Sequence, residues 1–498
     1  MLLQMNRRRL IQSAVVALCP AACSQKHRAP LPFATLTDLS AMLKAGETKP
    51  LLLVEHNLER IVQLDKSGPQ LNAVMELNPA AKSLAAACKS GPLHGLPILI
   101  KDNIETADAM QTTAGSLALR DHKPKQDAPL VTRLREAGAI ILGKTNLSEW
   151  ANIRSPNSTS GWSARGGLTR NPHRLTHSAS GSSSGSAAAV AAGLAPAAIG
   201  TETNGSIVSP ASACGIVGFK PTVGLISGSG IIPITHHQDT AGPMTLTVRD
   251  AALLLQVLAT NFTVDLKSDA LKGARLGVAR GQCGKNPQVL ALFETALQKL
   301  RNAGAIIIDP VELPNMREAG ALAWKAMLIE LRQDLNTYLE QRAGDVRSLA
   351  ELIAFNEQHR DTEMPHFAQE FIEQAEQLGA PEIIAAGAAA REHARRLAGP
   401  EGIDAALQAH QLDALIFPTN DPVGPIDLVH GDTDSRVAST PAAVAGYPHL
   451  TVPLGFVDAL PVGFSFISTA HADTRILALG HAFEEITKAR RAPEFRPK

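Results

Sequence analysis

This chain has no surplus of charge of either sign: Lys+Arg and Asp+Glu both total 47, for a formal net charge of zero. No global field therefore draws it to nucleic acid or to an anionic membrane. Cysteine is scarce, five in 498 residues, and Cys19 and Cys23 both fall in the first thirty. The other three, Cys88, Cys214 and Cys283, are odd in number and lack metal-ligand spacing, which excludes a disulfide framework and a cysteine zinc site. Each reads as a small buried hydrophobe. The N-terminal apolar stretch Leu10–Cys19 is too short to span a bilayer stably. No internal repeat is visible, and no cofactor is expected. What remains is ordinary for a globular protein with a large core, with 45% hydrophobic and 19% charged residues.

The first thirty residues stand apart. Arg7-Arg8-Arg9 precede the apolar stretch, and Ala21-Ala22-Cys23 follow it, giving the charged, apolar and small-residue regions of a bacterial export signal over residues 1–22. The paired arginines resemble a twin-arginine signal, and Ala22-Cys23 resembles a lipoprotein cleavage site that would leave a lipid anchor on Cys23, although Pro20 sits where a lipobox usually has Leu. On this reading the protein is exported, periplasmic or lipid-anchored. The alternative is a misassigned start codon and a cytoplasmic enzyme. Residues 23–34 read as a short linker.

Beyond it, apolar residues at helical spacing predict two amphipathic helices in Thr35–Gly68. Leu96–Ile100 is a short apolar run after Gly95, the pattern of a buried strand, and it delivers Lys101-Asp102 at its end. Val131–Ala137 reads as a helix and Ile140–Gly143 as the next strand. Val248–Ala259 reads as a helix, Ala274–Ala279 as a strand, and Val289–Ala303 with Ala305–Ile308 as another helix-strand unit. Residues 315–400 are helical in character and read as an insertion, after which strands return at Ala414–Phe417, His449–Pro453 and Val462–Ile467. The alternation predicts one α/β domain over residues 35–490.

The chemistry concentrates between Asn171 and Pro221, where Ser, Gly and Ala dominate. A Gly/Ser run is usually a linker. Here Ser180-Gly181-Ser182-Ser183-Ser184-Gly185-Ser186 leads straight into an Ala-rich helix at Ser186–Ala192, and Gly200-Thr201-Glu202-Thr203-Asn204-Gly205-Ser206 reads as a second tight loop. Small residues let the backbone approach a ligand and aim several N–H groups into one space, as an oxyanion requires. Neither loop carries a nucleotide-binding glycine pattern, so phosphate binding is the weaker reading.

These two segments, with Cys214-Gly215-Ile216-Val217-Gly218-Phe219-Lys220-Pro221-Thr222, resemble the Gly/Ser-rich signature of the amidase signature family in order and spacing. Gly95–Asp102 resembles the family's upstream lysine motif. The similarity extends through Lys144–Trp150, Asp239–Met244 and Thr451–Gly455, and covers nearly all of 35–490. The resemblance implies an α/β/α fold with a central mixed sheet covered by helices. It also implies amide hydrolysis by Ser206 as nucleophile, Ser182 as relay after a cis Gly181–Ser182 bond, and Lys101 as base. Thr203, Asn204, Gly205 and Ser206 would form the oxyanion hole, with Gly181 and Ser183 in the supporting loop. Asn204 and Ser184 stand where the family usually has Gly, and Val208-Ser209 where many members carry Arg.

Elementary chemistry supports the lysine independently. A base at neutral pH requires its pKa to fall from ~10.4 by roughly three units, which the apolar strand before it can supply through desolvation. The alternative for Lys101 is a solvated strand-end charge paired with Asp102. Asp102 and Glu202 read as hydrogen-bonding supports of the loops. The pairs His236-His237 and His173/His177 invite a metal, but Pro172 and the lack of a nearby acidic ligand favour loops, so no metal is expected. Three functions remain: an amidase taking a small-molecule or peptide amide, nearest the family's peptide-amidase-type branch; the glutaminase component of a tRNA-dependent amidotransferase, which would need partner subunits; and a non-catalytic binding protein on the same scaffold.

Overall fold

The structure is a computed structural model describing residues 31–120, 123–342, 344–432 and 437–497. The export signal read at 1–22 and the lipid acceptor Cys23 lie outside the described residues.

Among the described residues thirteen strands follow in chain order: β1 (Val74–Leu77), β2 (Pro97–Lys101), β3 (Ile140–Thr145), β4 (Trp162–Ser163), β5 (Gly167–Leu168), β6 (Ala197–Glu202), β7 (Val217–Lys220), β8 (Thr240–Thr245), β9 (Arg275–Val278), β10 (Ile306–Ile308), β11 (Ala414–Pro418), β12 (His449–Val457) and β13 (Leu460–Ile467). Eleven of them make one mixed sheet in the order β1-β3-β2-β6-β8-β7-β12-β13-β11-β9-β10, while β4 and β5 form a small hairpin. At the centre of the site-bearing half, β2 runs parallel to both β3 and β6. All three strands are buried along their whole length. Helices cover both faces, which is why these strands read as continuous apolar runs rather than alternating ones. The two largest core clusters divide by strand parity: Ile98, Ile100, Ile141 and Ile199 lie in one, Leu99, Ile140, Leu142 and Ala198 in the other. That division is the signature of a three-layer α/β/α body.

The helix Ser184–Ala191 is buried at every residue, so it has no apolar stripe and no polar face. Its small side chains let it lie deep against β6 and β2. The region read as an insertion carries the helices Met316–Arg342, Leu349–Gln358, Glu370–Glu376 and Pro381–Ala398, with the long first helix packed along the last.

Several boundaries differ from the sequence reading. Gly200-Thr201-Glu202 is the end of β6, so the second loop begins at Thr203. The linker is shorter than read, because Leu31–Phe33 makes a helical turn and Ala34 is buried. The body runs past 490, where Phe495 N donates to Pro172 O at 3.1 Å and Leu175 N to Arg496 O at 2.8 Å. Strand β8 escaped notice because Pro243 cannot donate to a ladder and argues against an interior strand. Here it sits in register opposite Ile199.

Candidate active site

Lys101 ends β2 with no exposed surface, against the alternative of a solvated charge. Its Nζ donates to Ser182 Oγ at 2.7 Å, to Thr201 Oγ1 at 2.9 Å and to Thr201 O at 3.3 Å. The partner strand explains the meeting: β2 and β6 run parallel with Ile100 opposite Ile199, so both carboxyl ends open at the same edge, where ligands of parallel sheets gather. Burial lowers the lysine to about 7, opposed by the nearby carboxylates of Asp239 and Glu202. A primary amine is thus held close to half-neutral at physiological pH.

Ser182 follows a cis Gly181–Ser182 peptide and is fully buried. A Cβ at position 181 would collide with Ser148 Oγ, so a larger residue there requires Ser148 to move. The first loop is stitched to the second: Ser183 N donates to Ser206 O at 3.2 Å, and Ser183 Oγ donates to Thr201 O at 3.0 Å. Ser206 is 8% exposed, and among the described residues its hydroxyl makes no hydrogen bond. The Ser183 N bond to Ser206 O holds this free hydroxyl's residue against the loop that carries Ser182.

The backbone of the second loop divides cleanly. Glu202 Oε2 accepts from Ile207 N at 2.8 Å and Val208 N at 3.1 Å. The N–H groups of Thr203, Asn204, Gly205 and Ser206 donate to no acceptor among the described residues. Buried backbone donors are nearly always satisfied, so the free N–H groups of the buried Thr203, Gly205 and Ser206 can receive an oxygen, while Asn204 between them is exposed. The left-handed residue of this loop is Gly205, at φ +87°, and not Asn204. Asn204 therefore needs no special backbone tolerance. It is exposed, and its Oδ1 accepts from Ser439 Oγ at 2.6 Å.

Around this centre lies a network that sequence reasoning missed. Thr203 Oγ1 donates to Asp239 Oδ1 at 2.5 Å, and Gln238 Nε2 donates to Thr203 O at 3.0 Å. Burial pushes Asp239 up to about 6, against the hydrogen bonds from Thr203, Ile234 N and Thr235 N. Gln238 Oε1 accepts in turn from Arg391, whose guanidinium pairs with Glu330 at 2.6 Å. Arg391 and Glu330 lie on the two long insertion helices, so these helices brace the second loop from outside. Asp239 opens one of the family-like motifs and was findable from it. Gln238, Arg391, Glu330, Thr201 and Asn103 carried no signal of this role.

The remaining singled-out residues serve the scaffold. Asp102 pairs with Arg165 at 3.1 Å and accepts from Thr113 N and Gly115 N. His173 Nε2 contacts Cys214 O at 3.0 Å, and His236 bonds Asp334 at 2.8 Å. Among the described residues no cluster of three or more His, Cys, Asp or Glu could hold a metal. Cys88, Cys214 and Cys283 are free thiols, the first half-buried and the others buried. Gly138–Thr145 spells the phosphate-loop pattern G-x-x-x-x-G-K-T, yet it runs into β3, and Lys144 Nζ is buried on Ile104 O and Thr112 Oγ1. A strand interior offers no cradle for phosphate.

The sequence model of the family described as Amidase matches residues 53–477. A probable amidase of Arabidopsis thaliana is 36% identical over 502 residues, covering 93% of this chain and 91% of the plant protein. A glutamyl-tRNA(Gln) amidotransferase subunit of Symbiobacterium thermophilum is 34% identical over 486 residues, covering 90% of this chain and 96% of the bacterial protein. The crystal structure of native peptide amidase from Stenotrophomonas maltophilia superposes with a TM-score of 0.88 at 47% identity, covering 94% of this chain and 100% of that one.

Proposed function

Because the chain belongs to the amidase family and is a hydrolase of amide C–N bonds, we propose that it works through Ser206, Ser182 and Lys101 by way of an acyl-enzyme, and that its substrates are peptide-like carboxamides. In this mechanism Ser206 Oγ attacks the amide carbon. Its proton passes to Ser182, whose own proton passes to neutral Lys101 across the 2.7 Å contact, now donating in the opposite direction. The carbonyl oxygen becomes an oxyanion against the free N–H groups of Thr203–Ser206. Protonated Lys101 then returns a proton through Ser182 to the amide nitrogen, the C–N bond breaks, and ammonia or an amine departs. Water repeats the route on the acyl-Ser206 ester and releases the carboxylic acid.

The observation that carries this reading is the buried contact of a lysine lowered to about 7 with Ser182 Oγ, beside a serine whose loop has four unused donors. A binding scaffold has no need of a near-neutral buried amine. The peptide-amide class draws its support from the likeness to peptide amidase. The glutaminase reading rests on the lower identity to the amidotransferase relative. A serine-directed fluorophosphonate is expected to label Ser206, located by peptide mapping. In a panel of C-terminal peptide amides, aryl amides and glutamine, kcat/KM is expected to be highest for the peptide amides. An unlabelled protein would remove the serine mechanism, and a preference for glutamine would favour the amidotransferase reading.

Export belongs to the same proposal, on the charged and apolar pattern of residues 1–22. Mass spectrometry of the native protein should find a mature chain beginning near residue 23, with a lipid mass on Cys23 if the lipoprotein variant holds. A chain retaining Met1 or Met5 would remove export.

A further inference from the structure

The motif Cys214–Thr222 carries a lysine that the mechanism above does not use. Lys220 ends the strand β7, Val-Gly-Phe-Lys, with no exposed surface. A charge taken out of water persists only against a compensating one. The hydrogen bond of Lys220 Nζ goes to Pro221 O at 3.0 Å, a neutral acceptor that answers one of three ammonium protons and none of the charge.

The register of the sheet points to the counter-charge. Gly218 and Ala198 both stand opposite Met244 and so share its face of the sheet. Lys220 and Glu202, two and four residues further along their strands, lie on that same face. His449 of β12 stands opposite Lys220 on its other side. Burial, helped by the lysine's charge, holds His449 down to about 3, so it is a neutral imidazole, with Nε2 on Ser465 Oγ at 2.7 Å. Two carboxylates remain, those of Glu202 and Asp473, and both oppose the burial that lowers Lys220 to about 8. Asp473 is engaged elsewhere, since its two oxygens accept from Thr222 N at 2.8 Å and Thr222 Oγ1 at 2.6 Å. Glu202 is half engaged: Oε2 accepts from Ile207 N and Val208 N, while Oε1 is buried with no hydrogen-bond partner among the described residues. Lys101 also feels Glu202. A base must be neutral to work, however, so Lys101 cannot be the lasting counter-charge.

The two N–H groups that Glu202 holds are those directly after the nucleophile. The helix Val208–Ala213 starts there and rests on the sheet at Gly218, where a Cβ would lie 2.5 Å from Ala211 Cβ and 3.0 Å from Ile207 O. Ser206 is thus fastened from behind by one carboxylate, itself only 1% exposed.

Resting on the amidase mechanism proposed above, we infer that Lys220 is a positioning residue for the nucleophile: it supplies the buried positive charge that keeps the Glu202 carboxylate on Ile207 N and Val208 N, and so sets where Ser206 Oγ stands. It acts through Glu202 and touches no reacting atom. Its loss therefore falls on kcat rather than on KM, because a reacting group misplaced by about 1 Å costs roughly 100-fold in rate.

The test is a double-mutant cycle on Glu202 and Lys220, read as kcat and KM for a C-terminal peptide amide and as the rate of fluorophosphonate labelling at Ser206. Lys220→Met is expected to lower kcat and the labelling rate together by roughly 100-fold. KM should change by less than about twofold. Glu202→Gln keeps an oxygen for the two N–H groups and removes the charge that Lys220 answers. In that background Lys220→Met should cost less than about twofold further. Parental kcat in Lys220→Met, or a loss carried by KM with kcat kept, overturns the inference. So does a second loss of similar size, in rate or in folded protein, when Lys220 is removed from the Glu202→Gln enzyme. That last comparison decides by itself if Lys220→Met alone does not fold. With the parent labelled on Ser206, each of these results leaves the mechanism standing. An unlabelled parent removes the serine mechanism and this inference with it.

Discussion

Ser206→Ala is expected to reduce amide hydrolysis by about a millionfold, to background, while leaving the fold intact. The hydroxyl it removes makes no hydrogen bond among the described residues, so truncation orphans no buried partner. Ser182→Ala should behave differently. Its hydroxyl is the acceptor of the Lys101 Nζ bond at 2.7 Å, and in the proposed mechanism it carries the proton to the leaving group without being the attacking atom. Loss of general acid-base help costs roughly a hundredfold to ten-thousandfold, and an alkoxide leaving group needs less of that help than an amine. The ester/amide activity ratio should therefore rise in Ser182→Ala. Hydroxylamine should divert the parent reaction to hydroxamate through a shared acyl intermediate. Intact-protein mass after trapping with a slow substrate, followed by peptide mapping, checks the assignment. An acyl group on Ser182 with Ser206 free would reverse the two roles.

The second large effect is set by Lys101. A base must be neutral, so activity belongs to the unprotonated fraction. With the lysine held at about 7, kcat/KM should sit on a plateau above that pH and fall through a single ionisation as pH drops, to about a tenth of the plateau one unit below it. Lys101→Arg places a guanidinium that does not deprotonate at accessible pH, and should remain nearly inactive even on the alkaline side. Asp239 provides the sign test. Its carboxylate raises the lysine against the effect of burial, so Asp239→Asn should move the acidic limb of the profile to lower pH. A profile flat from pH 5 to 9 in the parent, or parental rates in Lys101→Arg, would show that another group is the base.

The legible parts of this protein are those whose information is contiguous. The run Leu96–Ile100 predicts a strand by itself, and β2 lies there with Lys101 at its end. The Ser180–Ser186 loop and the helix after it were readable, the helix starting at Ser184 rather than Ser186. Most helix-strand units to the C-terminus follow from local periodicity. Local patterning failed where the signal was overridden. Pro243 hid β8, the four-residue β1 offered no run to detect, and the Gly-Thr-Glu end of β6 looked like loop because small polar residues seldom favour strands.

The sequence by itself determined the local elements and the identity of the Ser/Gly loops and the lysine, because each is encoded by neighbouring residues whose spacing repeats the geometry it forms. Only the tertiary structure decided that β2 and β6 run side by side, placing Lys101 on Ser182 and Thr201 from positions 81 and 100 residues away. It alone decided that Asp102 turns to Arg165 instead of the lysine, and that the left-handed residue is Gly205. It alone joined Arg391 to Gln238, 153 residues apart. The reason is physical. Burial and opposing charge set the lysine's proton affinity, and neither exists until distant segments close over it.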